Sequence, residues 1–532
     1  MEKLFLIGIG GTGMRCIEAF THLCAIGLMD NKEIDILSLD TDIGNGNKSK
    51  TELLIDNYIN IKGGPKSIPT ANNFFSAKIN LYKFAPDYSG NSVNYKTITQ
   101  LSIGAEDIRN NNKTATELFF NDEVQSFDLS HGYRAQTHLG SALMYHSIIE
   151  AARKWKNGNG RNEDNQLCEF LNNIYQAGDN ARVFILGSVF GGTGASSIPV
   201  IPRALRDAMR IKGAGQDLGK NAKFGCTLLT HYFTFNPPNA GQKDKGNEII
   251  ADSNNFARNS QAALMFYEQD ETVKNTYKFM YHVGWPLSPL DFDKGDKSRK
   301  TITGGLEQKN PAHVAELLSA CAAVDFYNQK DENLKGHSLV YKSANLSENS
   351  FEFDFMDFIG QDRAYELMYK ITSFFSLSFI INNEEEGSIL NLLKTFENKC
   401  NLKDYSALTT ESVKYIDEYI KSFSFHYSKE GNIVPGWLFQ VKNSVNGDFL
   451  FNPKAFSSSV KELSHFNFGE LLKDEKFQFE KDGKFIKGKP YDSFRKTIQQ
   501  DKDLYPSDSF PLPERFLAHN YNVLKKMYNI KN

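Results

Sequence analysis

Residues 181–197 read ARVFILGSVFGGTGASS, and no other stretch says more about the architecture of the chain. Five of the seven residues from 183 to 189 are apolar, which is typical of a strand buried on both faces. Glycines then interrupt the run, and apolar residues at helical spacing follow from Ile201 to Met209. A glycine loop that opens a helix presents backbone N–H groups and the positive end of the helix dipole. The stretch therefore predicts a phosphate site.

A second glycine loop lies at the start of the chain. Residues 4–7 are apolar, residues 8–13 read GIGGTG, and an apolar helical stripe begins at Met14. The loop matches the G-x-G-x-x-G pattern between a strand and a helix. The next predicted strand, 34–39, ends at Asp40, where a dinucleotide-binding protein carries the acid that binds ribose. Taken alone, this loop favours a dinucleotide-binding fold, and an NAD(P)-dependent oxidoreductase that uses only this loop is an alternative.

Two glycine loops in one chain need a common explanation. A dinucleotide site needs one phosphate-binding turn, whereas a site that grips a triphosphate from two sides uses both. The chain has no G-x-x-x-x-G-K-[ST] lysine motif, so backbone groups must hold most of the phosphate charge. For either loop by itself, a tight strand-to-helix turn that binds nothing remains an alternative.

Three segments, in this order, resemble the nucleotide loops of the tubulin and FtsZ superfamily. They are residues 7–13 (IGIGGTG), 40–42 (DTD) and 191–196 (GGTGAS), and the similarity is closest to the divergent bacterial members. The resemblance implies that the glycine loops embrace the phosphates and that segment 40–42 approaches the α-phosphate and sugar. The chain departs from the family pattern where Asp40 and Met14 replace asparagine and where Phe190 and Ser196 replace glycine.

The resemblance implies guanine nucleotide (GTP or GDP) with Mg²⁺, and no residue is assigned as a direct metal ligand. Arg134 is a candidate for sensing the γ-phosphate, because a guanidinium matches phosphate oxygens in a bidentate manner, although a solvated arginine is an alternative. Asn310, at the start of a predicted central helix 310–328 with proline in its first turn, is a candidate for the base or a helix cap. The implied nucleotide-binding residues are Gly10, Gly11, Thr12, Gly13, Asp40, Thr41, Asp42, Arg134, Gly191, Gly192, Thr193, Gly194, Ala195, Ser196 and Asn310.

In the family, carboxylates that follow the central helix of one subunit complete GTP hydrolysis on the next. Asp354 and Asp357, in the sequence DFMDF, resemble that element. Catalysis there requires positioning of water and charge stabilisation, for which acids near the γ-phosphate suffice. However, residues 351–355 also alternate like a half-buried strand with its acids in water, so a subunit without hydrolysis is an alternative.

The predicted fold is α/β, with a doubly wound, mostly parallel sheet in a Rossmann-like tubulin/FtsZ nucleotide-binding domain at 1–328. Further elements predicted inside it are a strand at 224–233, a helix at 256–273 and a strand at 277–283. Residues 43–128 read as a polar, asparagine-rich surface insertion. A mixed, largely helical C-terminal domain at 329–532 is predicted, with a strand at 437–441 and a buried helical stripe from Leu512 to Met527.

Composition limits the remaining classes of protein. The 532 residues are 40% hydrophobic and 13% aromatic, which excludes wholesale disorder, and the net charge of −3 gives no general attraction to nucleic acid or anionic membrane. The six cysteines are scattered, which argues against a metal or disulfide framework. The first strand begins too early for a signal peptide, and we expect a cytoplasmic protein.

The favoured function is a tubulin-like GTP-binding protein that assembles head-to-tail into filaments with nucleotide at the subunit interface. Such heterologous contacts do not close, so they propagate. One alternative is a non-catalytic tubulin-like scaffold in a multiprotein assembly, for example in phage defence, which binds other proteins through its C-terminal region. The other is the oxidoreductase.

Overall fold

The computed structural model describes residues 3–42, 44–87, 94–96, 114, 117–127, 129, 132–133, 135–211, 222–234, 252–285, 290–291, 305–306, 308, 310–335, 339–343, 356–383, 405–423, 425–427, 433–440, 494, 496–498, 500–506, 510 and 512–527.

A seven-stranded parallel sheet lies at the centre of the described structure. Its order is β3-β2-β1-β4-β5-β7-β9. Strand order therefore reverses between β1 and β4, which defines the point where ligands bind in open α/β sheets. The strands of this sheet are β1 Lys3–Ile9, β2 Glu33–Leu39, β3 Lys78–Phe84, β4 Ala181–Leu186, β5 Lys223–Leu229, β7 Tyr277–Val283 and β9 Val340–Ser343. Two short strands, β6 Phe233–Thr234 and β8 Leu290–Asp291, pair separately. A small antiparallel pair consists of β10 Phe425–Tyr427 and β11 Ile433–Pro435.

Helices cover both faces of the sheet. They are α1 Gly10–Ala25, α2 Gly46–Ile61, α3 Asp122–Ser126, α4 Thr137–Lys156, α5 Asn162–Ala177, α6 Gly192–Ser197, α7 Ile201–Ile211, α8 Phe256–Gln269, α9 Glu271–Thr276, α10 Val314–Asn328, α11 Asp331–Lys335, α12 Met356–Ile359, α13 Gln361–Asn383, α14 Tyr405–Phe423, α15 Trp437–Gln440 and α16 Leu512–Met527. Leu4 and Leu6 face one core with α1, α2 and α10, whereas Phe5 and Ile7 face a second core with α4, α5 and α7. The α/β class with a parallel sheet is thus confirmed.

The predicted surface insertion at 43–128 is wrong over its first half. Helix α2 and strand β3 lie within it and belong to the layered core. The buried stripe of α2 consists of Leu54, Ile55, Tyr58 and Ile61. Asparagines and lysines lie between these residues and weaken the helical periodicity of the hydrophobic pattern. Strand β3 lies at the sheet edge and alternates between buried and half-exposed residues, so it does not read as a continuous apolar run.

Three further element predictions need correction. The predicted strand 224–233 is two strands, β5 and β6. The predicted helix 256–273 breaks at Asp270, whose side chain accepts the Val273 N–H and caps α9. The predicted strand at 437–441 is the short helix α15. The strand at 277–283 is confirmed.

The described C-terminal helices α13, α14 and α16 pack on the same face as α1 and α2. His22 of α1 lies among the rings of Tyr415, Tyr419, Phe423 and Trp437, at centroid distances of 5.3–5.9 Å. The stripe on α16 is buried from Phe516 to Met527, as predicted. Strand β9 joins the sheet although it follows residue 328, and the domain division there stays a prediction. Within the described residues, no helix combines the length and apolarity needed to cross a membrane.

Candidate functional site

An open cleft lies at the carboxyl ends of the strands, where the strand order reverses. In open α/β sheets, clefts at this position commonly bind cofactors and other small ligands. Both glycine loops and the segment after β2 contribute to its walls. The lining residues are Ile9, Gly10, Gly11, Thr12, Asp40, Asp42, Asn45, Asn47, Gly132, Tyr133, Ala135, Ser188, Phe190, Gly191, Gly192, Thr193, Gly194, Phe233, Phe256, Gln308 and Asn310.

The first glycine loop joins β1 directly to α1. Gly10 has a φ of +67°, a conformation that glycine adopts without strain. Gly13 lies so close to β4 that a Cβ there would be 2.6 Å from the Leu186 carbonyl oxygen. No side chain caps the N-terminus of α1, so its first N–H groups are not taken up by a capping side chain. The loop therefore combines close backbone packing with donors at the cleft.

The second glycine loop lies opposite the first and touches it. A Cβ on Gly10 would lie 3.3 Å from Cβ of Thr193. The loop is itself the first turn of the short helix α6, whereas the sequence predicted a loop that leads straight into the helix at 201–209. Ala195 and Ser196 do not line the cleft. The Ala195 carbonyl accepts the Tyr267 hydroxyl at 2.6 Å, and the Ser196 hydroxyl donates to the Thr193 carbonyl at 3.0 Å, so both hold the loop in shape.

Replacing Gly13 with alanine is expected to destabilise the fold by about 1–3 kcal/mol, because the clash is with backbone that cannot rotate away. Urea unfolding of the purified variant measures the effect. Gly158→Ala is the matched control, since Gly158 has a φ of +75° with open space around it and carries only the left-handed penalty of about 1 kcal/mol. Equal losses in the two variants would contradict the packing role of Gly13.

The segment after β2 reaches over the glycine loops. The Thr41 and Thr193 hydroxyls are 3.4 Å apart, close enough for a hydrogen bond. Asp42 is turned toward backbone: Oδ1 accepts the Gly44 N–H at 3.1 Å and Oδ2 accepts the Gly305 N–H at 2.7 Å. Segment 40–42 is thus placed at the cleft, with Asp42 engaged in shaping it.

Asp40 differs from Asp42 because half of its carboxyl group has no partner. Oδ1 accepts the Asp42 N–H at 3.2 Å, whereas the buried Oδ2 makes no hydrogen bond. The side chain lines the cleft and only 2% of it is exposed. Burial, with a smaller contribution from the charge of Asp42, raises the pKa of Asp40 to about 7, although the backbone N–H groups of Asp42 and Thr41 and the charge of Lys48 act in the opposite direction.

A cluster of amide side chains that the sequence prediction missed forms another part of the lining. Asn45 caps α2 and donates from Nδ2 to Oε1 of Gln308 at 2.8 Å. Oδ1 of Asn47 accepts the Asn310 N–H at 2.9 Å, which fixes its orientation and leaves Nδ2 buried without an acceptor. A Cβ on Gly11 would lie 3.3 Å from that Nδ2. An unused donor therefore lies beside the first glycine loop.

Asn310 lines the cleft, but it is not a helix cap. Helix α10 begins at Val314, four residues later than Asn310, with His313 at the N-cap and Glu316 accepting the His313 N–H at 3.0 Å. This capping box, rather than the proline at 311, sets the start of the helix. Residues 310–313 consequently form the entry to α10, and Asn310 at its start lines the cleft.

A buried ion pair fixes the position of residues 310–313, the entry to α10. Arg15 of α1 contacts Glu316 through Nε at 2.6 Å and through Nη2 at 2.8 Å, and it also donates to the carbonyls of Asn310 and Pro311. Glu316 accepts the Tyr232 hydroxyl at 2.7 Å as well. Burial by itself would lower the pKa of Arg15. The charge of Glu316 and the hydrogen bonds between the two side chains outweigh burial, so the pKa of Arg15 is raised. The guanidinium is therefore permanently charged.

Aromatic rings form the remaining wall. Phe190 packs against Phe256, Phe233 and Tyr232 at centroid distances of 4.8–6.1 Å. Its ring thus supplies an apolar surface to the cleft, which a glycine could not. Tyr133 lines the cleft elsewhere.

The structure leaves part of the predicted site undecided. Arg134 and Asp354 lie outside the described residues. Asp357 belongs to α12, a helix, and its side chain is outside the described part of the chain. Phe358 of the same helix packs its ring 5.7 Å from that of Tyr281. The roles assigned to these residues stay predictions.

Chemically, the cleft offers backbone donors, amides, an apolar wall and two carboxyl groups. Among the described lining residues, Asp40 and Asp42 are the only Asp, Glu, Lys, Arg or His side chains. The described residues contain no group of three or more His, Cys, Asp or Glu side chains that could hold a metal ion by themselves. No protein-family model matches the chain, and no curated protein matches it.

Proposed function

We propose that the chain is a tubulin-like GTP-binding protein that assembles head-to-tail into filaments, with the nucleotide held between subunits. The observation that carries the proposal is the convergence of the two glycine loops, from residues 180 positions apart, on one cleft at the switch point of the sheet. A dinucleotide needs only one such turn. Two opposed turns suit a chain of phosphates.

Mg²⁺ belongs to the proposal as the partner of the nucleotide. The described lining of the cleft carries the carboxyl groups of Asp40 and Asp42. Backbone N–H groups contribute only partial positive charges, and a divalent cation bound to the phosphates would add to them. We assign it no protein ligand.

The direction of α10 supports head-to-tail assembly. The segment that leads into this helix lies at the cleft, and its 15 residues span about 22 Å. The Tyr327 hydroxyl, near its end, donates to the carbonyl of Phe5, near the opposite end of β1. The segments after α10 therefore start at the pole opposite the cleft. Hydrolysis of GTP with the help of Asp354 and Asp357 from the neighbouring subunit belongs to this proposal.

Two alternatives remain. The strand order and the acid at the end of β2 also fit an NAD(P)-dependent oxidoreductase. A scaffold that keeps the nucleotide without hydrolysing it would use the C-terminal region to bind other proteins. The first predicts a nicotinamide cofactor, and the second predicts bound nucleotide without phosphate release even at high protein concentration.

Identification of the copurifying nucleotide tests the proposal directly. The purified chain is denatured, the released small molecules are separated by chromatography, and the protein is then sedimented with GTP, with GDP, with ATP and without nucleotide. We expect guanine nucleotide in the released fraction and pelleting that depends on GTP and Mg²⁺. Release of NAD(P), or GTP-independent pelleting, would contradict the assignment.

A further inference from the structure

Asp40 presents a carboxyl oxygen that the protein itself does not satisfy. It lies at the end of β2, lines the cleft, and keeps Oδ2 buried without a hydrogen-bond partner. Buried polar atoms are nearly always hydrogen-bonded, so an orphan in a ligand cleft points to a group that arrives with the ligand. The neighbouring Thr41 reaches the second glycine loop, which places Asp40 on the phosphate side of the cleft.

The surroundings of Asp40 favour its neutral form. The charged side chains that act on it are Asp42 of its own loop and Lys48 of α2. Asp42 repels a second negative charge, and Lys48 is paired with Glu52 at 3.2 Å instead of with Asp40. The other described lining residues come from β1, α1, α2, β6, α6, α8 and the segments before α4, α6 and α10, and none of them carries a cationic side chain. An ionised Asp40 would therefore be a poorly compensated buried charge.

We infer that Asp40 binds a phosphate oxygen of the nucleotide as a neutral carboxylic acid, with Oδ2 donating the hydrogen bond. The inference rests on the proposed function for the identity of the ligand. Only the protonated carboxyl can donate, and its acceptor must be an oxygen of the ligand. A nearby phosphate disfavours ionisation further, so phosphate and proton bind together. Because the pKa of Asp40 is about 7, affinity should respond to pH near neutrality.

Asp40→Asn is the decisive variant, because asparagine keeps the acceptor for the Asp42 N–H and always donates. Dissociation constants for GTP and GDP are measured from about pH 6 to about pH 8.5, with Mg²⁺ and with chelator. The ratio of the wild-type to the variant constant cancels the titration of the ligand. We expect a ratio near one at pH 6 that rises roughly tenfold per pH unit above pH 7.

Other roles of Asp40 give the opposite dependence. A carboxylate that accepts ribose hydroxyls, or one that holds a divalent cation, would bind more tightly as pH rises and would lose affinity in Asp40→Asn. A ratio that stays flat across the range would also overturn the inference. If neither protein binds nucleotide at any pH, the proposed function and the inference both fail.

Unfolding without nucleotide tests the protonation of Asp40 separately. The folded protein keeps the proton up to about pH 7, whereas an unfolded chain loses it near the ordinary value of 3.8. Stability therefore falls as pH rises between these values, and the unfolding constant of wild type relative to Asp40→Asn should rise about tenfold per unit before levelling off near pH 7. A constant ratio from pH 5 to pH 8 would show an ordinary carboxylate and overturn the inference, whatever the nucleotide binding.

Discussion

Replacing Gly192 with aspartate is expected to lower the affinity for GTP at least about 100-fold. Gly192 lines the cleft at the first residue of α6. A carboxylate there faces the phosphates, and two unit charges about 4 Å apart repel by roughly 4 kcal/mol near a protein surface, which exceeds the ~2.7 kcal/mol of a 100-fold loss. Titration calorimetry with GTP and Mg²⁺ measures the change, and thermal unfolding shows whether the variant is folded.

Asn159→Asp is the matched control for Gly192→Asp. It adds the same charge to an exposed position in the loop after α4 and should leave GTP affinity within about twofold, because exposed charges at a distance are screened. Wild-type affinity in a folded Gly192→Asp protein would remove the basis of the proposed function. Retention of NAD(P) binding with no GTP binding in either protein would favour the dinucleotide alternative instead.

Much of the site could be predicted because its main elements are local in sequence. Each glycine loop lies between a buried strand and a helix within about 20 residues, so period, composition and turn chemistry all point to the same arrangement. The convergence of the loops on one cleft required only that parallel strands share a carboxyl edge. The structure brings residues of both loops to one cleft, and the nucleotide that they would bind stays a prediction.

The parts that were missed depend on contacts between distant segments. Asn45 is hydrogen-bonded to Gln308 and Asn47 to Asn310, and each pair is separated by 263 residues. No local sequence pattern predicts such pairs. The late start of α10 depends on a histidine at the N-cap, which is outside the residue types usually preferred there. The aromatic neighbours of Phe190 come from segments distant in the sequence, so its packing role could not be predicted from the glycine motif alone.

Arg15→Ala is expected to destabilise the protein by about 3–5 kcal/mol. The change leaves the buried Glu316 carboxylate without its cationic partner. The carboxylate loses both guanidinium contacts and keeps hydrogen bonds only from the Tyr232 hydroxyl and the His313 N–H. It also removes the donors to the carbonyls of Asn310 and Pro311, so GTP affinity should fall in parallel. Urea unfolding measures stability. Lys274→Ala is the control, because it breaks the exposed ion pair with Glu271. It should change the free energy of unfolding by less than about 1 kcal/mol.

The double variant Arg15→Ala/Glu316→Ala separates the charge from the contacts. If the loss in Arg15→Ala comes mainly from an uncompensated buried carboxylate, removing that carboxylate as well should recover part of the stability, and the two losses should fall short of additivity by about 1–3 kcal/mol. GTP affinity should not recover, because the carbonyls of Asn310 and Pro311 still lack their donor. Additive losses would mean that the two residues act independently, and restored affinity would mean that Arg15 does not position the entry to α10.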